Sequence, residues 1–340
     1  MNIATQREAA YVSTGSLPPA QQVIALVDEA YEAFRTNREG ETSDVYPALR
    51  RVAPDQFGIC VVSVAGKTYA AGDTDVEFTI MSVSKPFALA LIGDLIGFET
   101  IRERIGVNAT GRTFNSVGAI EAAPDGRTNP MVNSGAIATT SLTPGAGLEA
   151  KWQFLRAGLS RFAGRELSLD EEVFESASGT NHRNRSIANL LQAYGRLGMT
   201  PEDATELYTR QCSLKLTARD LAVMGATLGG GGVNPLTRER VVSATACHCT
   251  LAVMLTAGLY ETSGDWLYEI GLPGKSGIGG GIVTVSPGKG GLGTFAPRLD
   301  AAGNSVKGQL VARHLSQSLG FNLLVSRPAT ETAQRPRRSV

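Results

Sequence analysis

The pattern of apolar positions predicts strands near the two ends of the chain and helices between them. Alternation over 57–72 and 279–295 predicts two β-hairpins, each with glycine in its turn. From about 86 to 259 the apolar positions recur mostly at helical spacing, and amphipathic helices are also predicted over 18–34 and 305–319. This order predicts an α+β fold, in which an antiparallel sheet is flanked by helices and accompanied by a helical subdomain.

The same pattern predicts one folded domain between two loosely held termini. The N-terminal segment ends in Ser-Thr-Gly-Ser, and the C-terminal segment has arginines among prolines. We therefore predict a flexible N-terminus, a single domain and a disordered tail, at residues 1–17, 18–325 and 326–340. Within the domain, the α/β part is predicted at about 18–85 plus 260–325, and the helical part at about 86–259.

Composition and charge argue against several classes of partner. Lys plus Arg and Asp plus Glu are 32 each in 340 residues, so no overall field favours nucleic acid. No apolar run reaches the length of a bilayer span, and the N-terminus lacks the apolar core of a signal peptide. We therefore expect a cytoplasmic protein with neither a nucleic-acid nor a membrane partner.

The cysteine and histidine content argues against a metal site and against a Ser-His-Asp triad. The four cysteines are too scattered for a disulfide framework. Cys247-His248-Cys249 are neighbours that point to different faces of a helix, and no second cluster completes a four-ligand set. With only His182, His248 and His314 in the chain, a serine hydrolase needs lysine or tyrosine as its base. No metal or cofactor is expected.

Ser82-Val-Ser-Lys85 lies at the predicted junction of a strand over 78–81 and a long apolar helix. A spacing of three places the Ser82 hydroxyl and the Lys85 amine on one face of a helical turn. A buried neutral lysine beside a serine hydroxyl activates it, and S-x-x-K is the arrangement of serine acyl-transfer enzymes. The pattern also arises by chance, and a second copy, Ser286-Pro-Gly-Lys289, is typical of a turn.

Two further segments are candidate partners of Ser82. Lys275-Ser276-Gly277 precedes a glycine-rich strand, as K-[ST]-G does in penicillin-interactive enzymes, although an ordinary turn has the same composition. Tyr260 lies between the helical block and this strand, where a phenol either relays a proton beside a lysine or packs a loop. Ser82 lies where the first strands meet the helical insertion, and such a boundary predicts a cleft.

A series of short motifs runs along the chain in a characteristic order and spacing. The motifs are, in order, Ser82-x-x-Lys85, Phe114-Asn-Ser116, Asn129-Pro-Met-Val-Asn133-x-Gly-Ala-Ile137, Arg183-Asn184, Tyr208 with Cys212-Ser213, Gly258-x-Tyr260-x-x-Ser-Gly264, Gly271-Leu-Pro-x-Lys-Ser-Gly277 and Gly303-Asn-Ser-Val306. Together they resemble those of the serine-dependent glutaminases, which have a β-lactamase-like fold. The resemblance runs from about residue 20 to about 323, and the combination is specific although each piece alone is weak. It implies hydrolysis of L-glutamine to L-glutamate and ammonia through an acyl-enzyme.

The resemblance also implies roles for individual residues. Ser82 is implied to be the nucleophile and Lys85 its base, while Tyr260 relays a proton to the leaving ammonia and then helps to activate water. The implied oxyanion hole consists of the backbone N–H groups of Ser82 and Ile278. The residues implied to bind the amino-acid end of glutamine are Asn133, Asn184 and Tyr208. Family members are commonly dimers or tetramers, which implies a homodimer or homotetramer here.

Three positions depart from the family's pattern, and all belong to substrate recognition. Met81 stands where the family has Gln, and Val45 stands where it has Tyr, with Tyr46 one step later. Ala177 stands where the family has the glutamate that pairs with the substrate's α-ammonium, and Glu175 substitutes if the loop is rearranged. Because an unpaired ammonium in a closed site costs several kcal/mol, the alternative function is an amidase for a related carboxamide with altered α-amine recognition.

Two further classes stay open at this stage. Penicillin-binding or β-lactamase activity fits S-x-x-K and K-S-G, but the expected lack of an export signal and the motifs between them argue against it. A non-catalytic binding protein with this fold fits the three departures, whereas the presence of Ser82, Lys85 and Tyr260 together favours catalysis.

Overall fold

The computed structural model describes residues 15–325, in which five strands form an antiparallel sheet and two short strands pair separately. The strands are β1 (Gly58–Ser63), β2 (Thr68–Gly72), β3 (Phe78–Thr79), β4 (Lys215–Leu216), β5 (Gly274–Ser276), β6 (Gly281–Ser286) and β7 (Gly290–Phe295). The order in the large sheet is β2–β1–β7–β6–β5, and Gly58 pairs with Phe295. Both predicted hairpins are confirmed, and β1 and β7 join them into one sheet.

Helices cover both faces of the sheet and form a larger cluster beside it. They are α1 (Ala20–Phe34), α2 (Ser84–Ile96), α3 (Phe98–Arg104), α4 (Gly118–Glu121), α5 (Asn133–Ser141), α6 (Leu148–Ala163), α7 (Glu171–Thr180), α8 (His182–Ala193), α9 (Pro201–Cys212), α10 (Ala218–Gly229), α11 (Ala244–Ala257), α12 (Ser263–Ile270) and α13 (Val306–Ser318). α1 and α13 pack on one face of the sheet and α10 on the other. α2, buried over most of its length, lies among the remaining helices. The predicted α+β fold with a flanked antiparallel sheet is confirmed.

The close approach of α10 to the sheet depends on glycines of β7. A Cβ on Gly291 would lie 2.4 Å from both the Ala222 carbonyl oxygen and the Ala226 nitrogen. A Cβ on Gly293 would lie 2.2 Å from the Ala218 carbonyl oxygen. Since no side chain fits at these separations, glycine allows the helix backbone to rest directly on the strand.

The structure corrects the strand predicted over 78–81. Only Phe78–Thr79 is a strand, and it pairs with β4 rather than with the large sheet. The strand ends early because the chain turns sharply at Met81, whose φ is 47°. α10 falls within the range predicted as the helical part, but it packs on the sheet. The proposed boundaries between the α/β part and the helical part remain predictions.

The predictions of a flexible N-terminus and a disordered tail concern residues that are mostly not described. Residues 1–14 and 326–340 lie outside the described range. Within 15–325, no single helix has both the length and the apolar character to cross a membrane, although the bent pair Met81–Ile96 and Phe98–Arg104 meets both criteria together.

Candidate active site

A sharp turn between β3 and α2 presents Ser82. Met81 adopts the left-handed region that non-glycine residues rarely occupy, and Met81–Val83 forms a 3₁₀ turn before α2 begins at Ser84. The Ser84 hydroxyl donates a 2.8 Å hydrogen bond to the Met81 carbonyl oxygen, which holds this turn. Because α2 is buried among other helices, Ser82 stands on a rigid support.

Lys85, in the first turn of α2, contacts the Ser82 hydroxyl as the spacing predicts. Its Nζ lies 3.1 Å from Ser82 Oγ and 2.8 Å from Asn133 Oδ1. Burial lowers the pKa of Lys85 from 10.5 to about 8, and the nearby Cys212 opposes this shift more weakly. The neutral amine, which is the form able to accept a proton, is therefore populated near neutral pH.

Tyr260 is buried close to Ser82 at the end of the helical block. Its hydroxyl donates a 3.2 Å hydrogen bond to the Ser276 carbonyl oxygen, and its ring centroid lies 4.5 Å from that of Phe114. Burial raises the pKa of Tyr260, and a hydrogen bond with the Ser82 hydroxyl opposes this rise. The phenol is therefore protonated at neutral pH and close to Ser82, as a proton relay requires.

A second lysine, Lys275 of β5, is buried beneath Tyr260. Its Nζ donates a 2.6 Å hydrogen bond to the Ser276 carbonyl oxygen and lies 4.1 Å from the centroid of the Tyr260 ring. Burial lowers the pKa of Lys275 well below its ordinary value, and the positive charge of Lys85 adds to this effect. The face of the Tyr260 ring favours the cation and therefore opposes this lowering of the pKa.

Three polar side chains from α5, α8 and α9 meet next to Lys85. Asn133 Nδ2 donates to Asn184 Oδ1 at 3.0 Å, and the Tyr208 hydroxyl donates to Asn133 Oδ1 at 3.3 Å. Burial raises the pKa of Tyr208 well above its usual value, so this phenol stays a donor. A continuous hydrogen-bond network therefore connects Lys85 with the residues implied to bind substrate.

Most of the predicted site residues line one cavity of about 120 Å³. The predicted residues in its wall are Ser82, Tyr46, Asn133, Asn184, Tyr208 and Ile278. Lys85 and Tyr260 are buried next to Ser82 without lining the cavity itself. The three positions that depart from the family's pattern, Val45, Met81 and Ala177, also line it.

Glu175 is not brought into this cavity, contrary to its expected role as a substitute acid. Glu175 and Ala177 both belong to the regular helix α7. Positions two apart in an α-helix are about 200° apart around its axis, so the two side chains point in nearly opposite directions. Ala177 is buried at the cavity, whereas Glu175 is exposed in a neighbouring groove with Arg185. Because both positions are helical, no loop between them is available to rearrange.

Asn304 is a further polar residue beside the site, and the sequence indicates it only as part of the motif Gly303-Asn-Ser-Val306. Ser276 Oγ donates a hydrogen bond to Asn304 Oδ1, and Asn304 Nδ2 donates to Thr262 Oγ1 at 3.0 Å. These contacts hold the end of β5, whose Ser276 carbonyl accepts hydrogen bonds from both Tyr260 and Lys275. Asn304 therefore orients the two buried groups beside Ser82.

The fold and the site together define a class of protein. Ser82 and Lys85 stand at the start of a buried helix, next to the Lys275-Ser276-Gly277 segment on β5, an edge strand of the antiparallel sheet. S-x-x-K combined with K-S-G in this arrangement is characteristic of enzymes with the β-lactamase-like fold.

Comparison with known proteins identifies the family. The family model described as Glutaminase matches residues 40–324. The chain is 69% identical to "Glutaminase 2" of Yersinia pestis over 321 residues, which are 94% of each chain. It is 47% identical to "Glutaminase" of Colwellia psychrerythraea over 306 residues, 90% of this chain and 98% of the other. The chain belongs to the glutaminase family and is an amidohydrolase.

Solved structures of relatives agree with this assignment. The "Probable glutaminase ybaS" superposes with a TM-score of 0.89 at 42% identity, over 91% of this chain and 100% of the other. The Bacillus subtilis glutaminase YbgJ superposes with a TM-score of 0.79 at 32% identity, over 90% of this chain and 100% of the other. The latter is a covalent complex with 5-oxo-L-norleucine formed by reaction with 6-diazo-5-oxo-L-norleucine. The expected β-lactamase-like fold is confirmed.

Proposed function

We propose that the protein hydrolyses a γ-carboxamide of the L-glutamine type to a carboxylate and ammonia, through an acyl-enzyme on Ser82 with Lys85 as base. The observation that carries this proposal is the 3.1 Å contact between the buried Lys85 amine and the Ser82 hydroxyl. Conversion of L-glutamine to L-glutamate is the first reaction to test, because the relatives are named glutaminases. The covalent complex of the Bacillus subtilis relative supports a nucleophile in its site.

In the acylation step, the neutral Lys85 amine takes the hydroxyl proton of Ser82 while Oγ attacks the carboxamide carbon. Negative charge then develops on the carboxamide oxygen. We assign its stabilisation to the backbone N–H groups of Ser82 and Ile278, two residues that line the cavity. Tyr260 donates its proton to the departing nitrogen and recovers one from the Lys85 ammonium, so that the C–N bond breaks and ammonia leaves.

In the deacylation step, water attacks the acyl carbon and the bond to Ser82 Oγ breaks. Tyr260 guides one water proton towards Oγ, which regenerates the serine hydroxyl, and the other proton stays on the product carboxylic acid. Once released at neutral pH, this acid gives its proton to the ammonia, so that the final products are a carboxylate and ammonium. Lys275 acts as a positioning residue here, because it lies against the Tyr260 ring and donates to the same carbonyl oxygen that Tyr260 contacts.

The end of the substrate away from the amide is assigned to the polar side chains that meet next to Lys85. Asn133, Asn184 and Tyr208 are buried, line the cavity and hydrogen-bond to one another. Tyr46 lines the same cavity and replaces, one position later, the tyrosine that is absent at Val45. Amide and phenol groups of this kind bind a carboxylate by donating hydrogen bonds to it.

The test is ammonia release by purified protein from L-glutamine and from related γ-carboxamides. Ser82→Ala should lower the rate by at least about 10³-fold, since the nucleophile is removed. The chain supplies a matched control in Ser286→Ala, because Ser286 belongs to the second S-x-x-K copy and is also buried, with its hydroxyl on the Phe321 carbonyl oxygen at 3.3 Å. Ser286→Ala should keep the activity, and ammonia release by Ser82→Ala would contradict the proposal.

Two other functions correspond to other results. Release of ammonia from no γ-carboxamide, together with no reaction with penicillin, would indicate a non-catalytic binding protein. Acylation of Ser82 by a fluorescent penicillin would indicate a penicillin-interactive enzyme. The homodimeric or homotetrameric state and the cytoplasmic location stay predictions, and light scattering of the purified protein measures the first of them.

A further inference from the structure

The charge of the cavity next to Ser82 does not suit an ammonium group. Of the 17 described residues that line the cavity, none is aspartate or glutamate. The apolar part of the wall includes Val45, Met81, Ala177 and Ile278. An ammonium group that leaves water for this site loses its hydration and gains no anionic partner.

Carboxylates line the two neighbouring grooves instead. Glu175, Glu202 and Glu206 lie in a groove that shares Asn181 with the cavity, and Glu41, Asp44 and Asp300 lie in a groove that shares Ile278 with it. These last two already have partners, because Asp44 is 3.6 Å from the Arg50 guanidinium and Asp300 accepts hydrogen bonds from its own loop. Within the described wall of the cavity itself, a small molecule therefore meets no carboxylate.

Arg183 is the single cationic residue in the described wall of the cavity. Its Nη1 donates weak hydrogen bonds to Asn115, at 3.3 Å to the carbonyl oxygen and 3.4 Å to Oδ1. Within residues 15–325 no carboxylate forms a salt bridge with this guanidinium, which is exposed at the rim. A guanidinium in this state is suited to a ligand carboxylate.

We propose that the substrate is a short γ-carboxamide that carries a carboxylate and carries no ammonium group on its α-carbon. Glutaric acid monoamide is the simplest member of this class. The inference rests on the proposed function, because the same Ser82 acyl-enzyme performs the hydrolysis. Water adds across the C–N bond, so the products are a dicarboxylate and ammonium, and no oxidant or reductant takes part.

The first experiment compares two substrates that differ only in the α-ammonium group. The ratio of kcat/KM for glutaric acid monoamide to that for L-glutamine should be at least about ten in the wild-type protein, because burying an unpaired ammonium weakens binding. The difference should lie mainly in KM, since the ammonium is remote from the reacting carbon.

The second experiment restores an acid to the wall. Ala177→Glu places a carboxylate at the cavity and should shift the preference towards L-glutamine by about tenfold or more. Ala177→Gln is the matched control, because it adds the same number of heavy atoms without charge and should not change the preference. The wild-type comparison keeps the inference testable if either variant fails to fold.

Each outcome separates the inference from the proposed function. Equal or better use of L-glutamine by the wild-type protein, lost in Ser82→Ala, would overturn the inference and leave the proposed function intact. If Asp44→Asn then removed the activity on L-glutamine, a groove carboxylate would be the partner of the ammonium. Ammonia release from neither substrate would overturn the proposed function, and the inference with it.

Discussion

Asn133 Oδ1 accepts a hydrogen bond from Lys85 Nζ at 2.8 Å and another from the Tyr208 hydroxyl at 3.3 Å. A neutral amide oxygen at this position stabilises the Lys85 ammonium much less than a carboxylate would. In the proposed mechanism, the amide of Asn133 therefore helps to keep Lys85 available as a base, and Asn133 also lines the cavity.

Replacing this amide by a carboxylate should raise the pKa of Lys85. Asn133→Asp would pair the ammonium with a negative charge at the distance of the present hydrogen bond, and opposite charges this close favour the charged form. At neutral pH kcat/KM should fall by at least about tenfold, and the activity should recover at higher pH than in the wild-type protein. The pH–rate profile of the variant measures both effects.

Asn184→Asp is the control for this substitution. Asn184 is also buried and bonded to Asn133, but it makes no direct contact with Lys85. It should weaken substrate binding with a smaller displacement of the pH–rate profile. A profile that moves as far in Asn184→Asp as in Asn133→Asp would contradict the specific role of the Lys85–Asn133 contact.

The wild-type protein should become more active as the pH rises through about 8, the pKa of Lys85. Below this pH the buried amine is increasingly protonated, so the fraction able to accept the Ser82 proton falls by about tenfold per pH unit. The pH dependence of kcat/KM measures the effect, with the reaction followed by ammonia release. A rate that is constant between about pH 6 and 9 would show that Lys85 is not the titrating base.

Lys275→Met should lower kcat strongly while leaving the fold intact. Methionine fills a similar volume and removes a buried amine that forms no salt bridge within residues 15–325, so the melting temperature should not fall. The amine packs against the Tyr260 ring and donates to the carbonyl oxygen that the Tyr260 hydroxyl contacts, so it helps to position this phenol. For this reason kcat should fall by about 10²-fold with little change in KM. If instead Tm fell, and the decrease in kcat were matched by an equal increase in KM, Lys275 would have a structural role only.

Gly291→Ala should destabilise the protein by about 2 kcal/mol or more, because its Cβ would overlap the backbone of α10. The neighbouring atoms are the Ala222 oxygen and the Ala226 nitrogen, both backbone atoms that cannot rotate away. Gly264→Ala in α12 is the control, since no heavy atom lies within 4 Å of the added Cβ. Urea unfolding measures both variants, and an equal effect in the two would contradict the packing argument.

Local patterns in the sequence specify the secondary-structure elements and the contacts between residues that are close along the chain. Alternating apolar positions predicted both hairpins, and the helix predicted over 18–34 is present, although it begins at Ala20, after the two prolines that were expected to start it. The contact of Ser82 with Lys85 was also predictable, because residues three apart meet on one helical turn. These features depend only on the spacing of residues that are near one another in the sequence, so they can be predicted from it directly.

Which side chains from distant parts of the sequence come into contact, and which are buried, depends on how the elements pack in the folded protein. Asn133 reaches Lys85 from another helix, and Lys275 is buried under Tyr260, although its motif has the composition of an ordinary turn. Glu175 and Ala177 are only two residues apart, but they lie on opposite sides of α7. Packing of this helix places Ala177 at the cavity and leaves Glu175 exposed to solvent. Burial, and with it the pKa of each lysine, depends on the packing of elements far apart in the chain, which no local pattern specifies.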